Sequence, residues 1–183
     1  KPKLTTIGQK SYAYSNISLS CSDYPKVFTG NRKNPAKIAM MILFSFEADV
    51  LEIYLNEIYD YIDKFFIVES EITHNLGVSM PLLWPELSKQ ERFQKFSDKI
   101  VHFVVTKEKI IGIHYEREDV DDDIKMWHNE RAKEEIRWKF FLEWNKNNGN
   151  YFQDEDLIGF GDCDEIPAFY NLILLKKCQN KGN

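Results

Sequence analysis

Two carboxylates two positions apart, Asp162 and Asp164, stand where the apolar run Asp156-Leu157-Ile158-Gly159-Phe160 gives out. Side chains at i and i+2 of an extended backbone point the same way, so the two would present their oxygens together while Cys163 and Glu165 face elsewhere. Such a pair repels itself unless a proton or a cation intervenes. A hard divalent ion with oxygen ligands is the natural occupant; a solvated turn whose acids merely end a strand is the competing reading. Two more acids follow apolar runs. Glu47 comes after Ile38–Phe46, and Glu69 after Phe65-Phe66-Ile67-Val68. Cys163, inside the motif, reads as a small buried side chain rather than a nucleophile.

The elements that must carry these acids alternate. Ile38–Phe46 is a continuous apolar run, as in a strand covered on both faces. Leu51, Tyr54, Leu55, Ile58 and Ile62 then make one helical stripe, with Glu47 and Asp49 in the first turn, where negative charge suits the helix dipole. Phe65–Val68 is a second strand, which completes a βαβ unit. Pro85 opens a short helix through Phe96, and Lys99–Val105 is a third strand. Residues 106–126 read as a polar loop. Its acidic run, 116–123, lacks the glycine of a calcium-binding loop. Ala132, Ile136, Phe140 and Trp144 step along a helix from Trp127 to Trp144, with Gly149 beyond it as a C-terminal cap. The fourth strand delivers the Asp-x-Asp motif. This predicts an α/β fold, a mostly parallel sheet with helices on both faces, in which the acids gather at one edge as a ligand crevice requires.

The 183-residue chain is long enough for one domain with its own core. Its net charge of -5 argues against a nucleic-acid surface. No stretch of about twenty apolar residues exists to span a membrane. Three scattered cysteines, Cys21, Cys163 and Cys178, suggest neither a zinc site nor a disulfide framework. Asn16-Ile17-Ser18 is a glycosylation sequon and weakly favours a secretory location. Residues 1–36 have no clear periodicity and read as a stem, an extended arm or a linker; residues 37–183 read as the domain proper. His74, His102, His114 and His128 lack metal-ligand spacing, and His102 reads as a packed strand residue. Trp127, Trp138 and Trp144 read as core or rim aromatics, with an acceptor-stacking platform as the alternative. The chain starts at Lys1 without a Met, so a preceding signal or anchor segment is left open.

Three blocks in order carry a family resemblance: Phe44–Ile58 with its Glu47, Asp49 and Glu52; Phe66-Ile67-Val68-Glu69-Ser70 followed by Thr73-His74 and Pro81-Leu82; and Asp162-Cys163-Asp164-Glu165-Ile166-Pro167. Over residues 38–177 the chain resembles the β-1,4-mannosyl-glycoprotein N-acetylglucosaminyltransferase family, to which the bisecting enzyme belongs. The resemblance implies a GT-A fold, a UDP-GlcNAc donor, a glycan or glycoprotein acceptor, Mn²⁺ or Mg²⁺, inversion at the anomeric carbon and a place in the Golgi lumen. It assigns Asp162 and Asp164 to the metal and nucleotide-sugar motif, with Asp164 coordinating directly and Asp162 serving the ribose or a metal-bound water. Glu47 and Glu69 would line the donor side, and Glu165 and Pro167 would shape the turn. The family's Gly-Lys-Pro-Lys-Pro is here Gly77-Val78-Ser79-Met80-Pro81, without its lysines. The family arginine of the first helix is Tyr54, and either Arg131 or Arg137 matches the arginine of the later helix. Few residues follow Asp164, so the expectation is the donor half of a GT-A domain, incomplete on its C-terminal side. The general base and the oligomeric state are left open. A non-catalytic glycosyltransferase-like module is the competing function, and a phosphotransferase with an aspartate nucleophile a distant third.

Overall fold

The structure, a computed structural model, describes residues 17–73, 78–114 and 122–182, the side chains of 111–114 and 122–130 excepted. Asn16 of the sequon, His74, Gly77 and residues 116–121 of the acidic run lie outside the described residues, as do the side chains of His114, Trp127 and His128. In chain order the elements are β1 (Phe28–Asn31), β2 (Ile38–Leu43), α1 (Ala48–Ile58), β3 (Lys64–Ser70), α2 (Trp84–Leu87), α3 (Glu91–Gln94), β4 (Ile100–Val105), α4 (Lys107–His114), α5 (Asp122–Asn147), β5 (Leu157–Asp162), α6 (Phe169–Lys177) and β6 (Cys178–Asn180). By contact the chain divides into two compact units, residues 37–167 and residues 1–36 together with 168–183.

Unit 37–167 is α/β and GT-A-like. Four parallel strands run in the order β4-β3-β2-β5. Side chains alternate across the pleat. Ala39 and Met41 of β2, with Phe66 and Val68 of β3, pack against Ala132, Ile136 and Phe141 of α5. The intervening Met40, Ile42, Phe65 and Ile67 are equally buried, as is the α1 stripe Leu51, Tyr54, Leu55 and Ile58. Burying a large apolar side chain contributes about 1.5–3 kcal/mol, so these two faces hold the sheet between its helices. Phe66 sits at the centre of one face, with ring contacts to Phe103, Phe141, Trp144 and Phe152. Two aspartates anchor the start of the sheet: Asp63 accepts from the Ile38 amide at 2.7 Å and Asp156 from the Lys37 amide at 2.7 Å.

The alternation expected from the sequence is present, with some differences. α1 ends at Ile58, yet Ile62, the last residue of the expected stripe, is still buried, beyond a 3-10 turn at Tyr59–Tyr61. The segment opened by Pro85 breaks into two four-residue helices, α2 and α3. The stretch read as a loop from 106 holds α4, whose Ile110 joins the α5-side core. That helix has little hydrophobic periodicity to announce it. Gly149 caps α5 at φ 70°, a left-handed conformation that glycine adopts without strain.

In the other unit, β1 and β6 pair antiparallel, and Cys21 is disulfide-bonded to Cys178 across a sequence separation of 157. This corrects the reading of three unconnected cysteines: their distance along the chain hid a neighbourhood that the pairing of β1 with β6 creates. The core here is small, made of Cys21, Phe28, Leu174 and Cys178, with Tyr24 and Leu175 packed on it. Arg32 Nε donates to the Cys178 carbonyl at 2.9 Å, and the Ala36 amide to the Lys176 carbonyl at 2.9 Å.

Candidate functional site: a double cleft at the switch point of the sheet

The chain proceeds from β2 outward through β3 to β4, then returns to place β5 on the other side of β2. Between β2 and β5 the direction of winding reverses, and ligands of open α/β sheets collect beyond the carboxyl ends of the strands at such a point. Leu43, the last residue of β2, is in register with Asp162, the last of β5. The motif therefore leaves the sheet at the switch point.

A cleft of about 200 Å³ opens there, lined by Leu43, Ser45, Glu47, Asp162, Cys163 and Asp164. Asp162 and Asp164 are exposed and Cys163 between them is buried, but β5 ends at Asp162 and the motif turns, with the Glu165 amide donating to the Asp162 carbonyl. The extended backbone expected through Asp164 is therefore not formed, and Glu165 is exposed as well rather than facing away. Glu47 directs its carboxylate back over the β2–α1 turn, accepting from the Phe46 amide at 3.1 Å and more weakly from Ser45 at 3.4 Å. Cys163 lies beneath the acids. Burial, helped by the nearby carboxylates of Glu47, Asp164 and Asp162, pushes its thiol up to about 12, so it stays protonated and is no nucleophile. Below it is Tyr54, wholly buried, whose hydroxyl has no hydrogen-bond partner among the described residues. Burial, with Cys163 and Glu165 adding to it, drives that hydroxyl's pKa up as well.

Glu165 folds back onto the motif. Its Oε2 accepts from the Asp162 amide at 3.1 Å, while its own amide donates to the Asp162 carbonyl at 3.1 Å. A Cβ on residue 161 would stand 3.1 Å from that Oε2, so glycine at 161 gives the brace its room. The glutamate ties the turn to the strand end and thereby fixes the direction of Asp162.

A second cleft, about 380 Å³, adjoins the first through Leu43 and Asp162 and is lined further by Lys133, Glu134, Arg137, Phe160, Gly161 and Glu165. Lys133 and Arg137 occur one turn apart on α5, and both are buried. Lys133 Nζ donates to the Ile72 carbonyl at 2.9 Å, and the Arg137 guanidinium lies 5.7 Å from the centre of the Phe160 ring.

Of the acids singled out in the sequence, the fold brings Glu47, Asp162 and Asp164 to one cleft and leaves Glu69 out of it. Glu69 is 2% exposed. Its carboxylate accepts from the amides of Leu83 at 2.6 Å and Trp84 at 3.2 Å and bonds His102 Nε2 at 2.8 Å. Its oxygens are committed to tying β3 and β4 to the segment before α2. Sequence reasoning missed Lys133. The available signal was two cations at i and i+4 beside the apolar stripe of α5, where a solvated face should not be.

A model of glycosyltransferase family 17 matches residues 9–183. The chain belongs to that family. No curated protein and no solved structure matches it. For a family 17 glycosyltransferase the chemistry to be housed is sugar transfer from a donor to an acceptor; the two clefts adjoin through Leu43 and Asp162.

A divalent ion fits the smaller compartment in a specific sense. Among the described residues no group of three or more His, Cys, Asp and Glu side chains gathers to hold an ion unaided. Two carboxylates at the mouth of a cleft suit an ion that takes its remaining oxygens from water and from substrate phosphates. Asp164 and Asp162 would hold it.

Proposed function

We propose that this glycosyltransferase carries out a metal-dependent, inverting transfer of N-acetylglucosamine from UDP-GlcNAc to a glycan acceptor, in the manner of the bisecting N-acetylglucosaminyltransferases it resembles. The observation that carries the reading is the convergence of Asp162, Asp164 and Glu47 on one cleft at the switch point of a parallel sheet. When bound there with Mn²⁺ or Mg²⁺, the donor's departing diphosphate has its growing negative charge offset by the cation. The protein's own groups orient. The Glu165 brace holds Asp162 at the strand end, the turn through buried Cys163 leaves both aspartates exposed at the cleft, and Glu47 lines the same cleft with its carboxylate held by the Phe46 amide. Inversion also needs an acceptor proton to be taken by a base, in such enzymes usually a carboxylate.

A place in the secretory pathway is part of the proposal. The Cys21–Cys178 disulfide supports it, since such bonds persist in oxidising compartments. Among the described residues no helix is long and apolar enough to cross a membrane.

The test is UDP-GlcNAc binding by calorimetry, with and without Mn²⁺, on the wild type and Asp164→Ala. Binding that needs the metal and falls at least about tenfold in the variant, a loss of about 1.4 kcal/mol, is expected. Absence of binding in every condition would instead mark a non-catalytic module.

A further inference from the structure

Charge is shared unevenly between the two compact units. Residues 1–36 and 168–183 hold nine of the chain's 24 Lys and Arg but one of its 29 Asp and Glu, so that unit carries a net +8 and residues 37–167 a net -13. The cations border the β1–β6 ribbon at both ends. Lys26 precedes β1 and Lys181 follows β6, where the Lys181 amide donates to the Val27 carbonyl at 3.0 Å. At the other end Arg32 and Lys33 follow β1, and the Arg32 amide donates at 2.8 Å to the carbonyl of Lys177, the residue before β6. Lys26, Lys33, Lys177 and Lys181 are exposed. Among the described residues none of the four forms an ion pair, and the single acid, Asp23, accepts from the Ser18 hydroxyl instead. Like charges gathered this way repel one another, and an outside polyanion relieves that cost.

Lysines also keep the open edges of a small sheet from pairing with other chains. That role is met by charge of either sign, whereas here nine charged side chains in ten are positive within an acidic protein. The Cys21–Cys178 disulfide places the ribbon in an oxidising compartment, away from the anionic leaflet of a membrane, which faces the cytoplasm. Acidic proteins and sulfated polysaccharides are the polyanions left to meet it. A protein interface is anchored at its centre by large apolar or aromatic groups. The large apolar side chains exposed in this unit among the described residues, Leu19 and Val27, lie outside both strands. Between the lysines stand Thr29, Asn31, Gln179 and Asn180, exposed and uncharged, whose hydroxyl and amides suit sugar hydroxyls and sulfate oxygens. At about 3.3 Å per residue, Lys26 and Lys33 are at most about 23 Å apart, a length that a chain molecule covers and a single small anion does not. We infer that the β1–β6 ribbon docks a sulfated polysaccharide, laid along it from one cationic end to the other. This surface is independent of the donor reading given above.

The probes are heparin, chondroitin sulfate, polyglutamate and phosphatidylserine vesicles, each titrated into the whole chain by calorimetry at about 0.15 M salt. Both sulfated chains are expected to bind, with log affinity falling linearly against log salt concentration. The double variants Lys26→Glu/Lys181→Glu and Lys33→Glu/Lys177→Glu should each weaken binding at least about tenfold. A control pair of surface lysines from residues 37–167, Lys89→Glu/Lys146→Glu, should leave it within about twofold, because screening confines the effect of a charge to its neighbourhood. The melting temperature and UDP-GlcNAc binding should stay as in wild type in both ribbon variants, since their side chains are exposed. Absence of binding to the sulfated chains overturns the inference, as does a loss in the control pair equal to that in the ribbon pairs. Polyglutamate, whose linear charge density is at least that of chondroitin sulfate, overturns it by binding as tightly, and so do the vesicles. Self-association in sedimentation that the ribbon variants abolish assigns the surface to a second copy and also overturns it. Failure of UDP-GlcNAc to bind removes the donor reading alone and leaves the ribbon's partner standing.

Discussion

Replacing Glu69 separates a structural acid from a donor ligand, and the size of the effect follows from its bonds. In Glu69→Ala the amides of Leu83 and Trp84 lose their acceptor, and His102 loses its partner. A buried donor left unsatisfied costs about 1–3 kcal/mol. The two amides together therefore cost about 4 kcal/mol; His102 is partly exposed, can turn to water, and adds little. Glu69→Gln keeps the shape and one acceptor oxygen, loses the second and the charge, and should cost about 1–2 kcal/mol. With a urea slope of about 2 kcal/mol/M, the alanine variant should unfold about 2 M earlier and the glutamine variant less than 1 M earlier. The assay is urea unfolding followed by tryptophan fluorescence, paired with UDP-GlcNAc calorimetry on the folded glutamine variant. Donor binding should persist there. An alanine variant shifted by less than about 0.5 M, or a glutamine variant of normal stability that no longer binds the donor, would refute the structural assignment and return Glu69 to the donor site.

The Cys21–Cys178 bond closes a loop of 157 residues in sequence, and loop-closure entropy sets its largest contribution at about 5 kcal/mol. Reduction should speed amide exchange at Arg32 and Lys181, which bond within that small unit, while Met41 and Ile67 in the parallel sheet stay protected; equal exchange with and without reductant would contradict this. Cys163 should resist iodoacetamide at pH 8 in the folded protein and react on unfolding. Its folded pKa is raised from the ordinary 9.0 to about 12, so the native state retains a proton that the unfolded chain loses. The stability this brings is complete below pH 9.0 and is lost as pH rises toward 12; urea midpoints in that window should fall more steeply for wild type than for Cys163→Ala. A Cβ at Gly159 would run into the thioether end of Met40, a flexible side chain that can move aside, so Gly159→Ala should destabilise by no more than about 1 kcal/mol, and that cost should vanish on a Met40→Ala background in a double-mutant cycle.

Local pattern was enough to place the parallel strands, the α1 stripe, the long helix α5 and its glycine cap, because hydrophobic period and backbone freedom are properties of short segments. The Asp162–Asp164 pair was legible by a local rule, that acids following an apolar run stand at a strand end, although a turn and not the expected alternation leaves both exposed. Glu69 obeyed that rule equally well and ended up elsewhere. What separated it from Glu47 was the fold around it, since the chain before α2 brings two amides and β4 brings His102 onto its oxygens. The bond between Cys21 and Cys178, and the meeting of Lys133 and Arg137 with Glu165 and Phe160, join residues far apart along the chain. No window of sequence contains such pairs. The disulfide exists because β1 pairs antiparallel with β6 from the far end of the chain. The cleft residues meet because parallel strands must be joined by crossovers, each of which carries distant residues to the same edge of the sheet, where only the completed packing decides which side chains face solvent and which face one another.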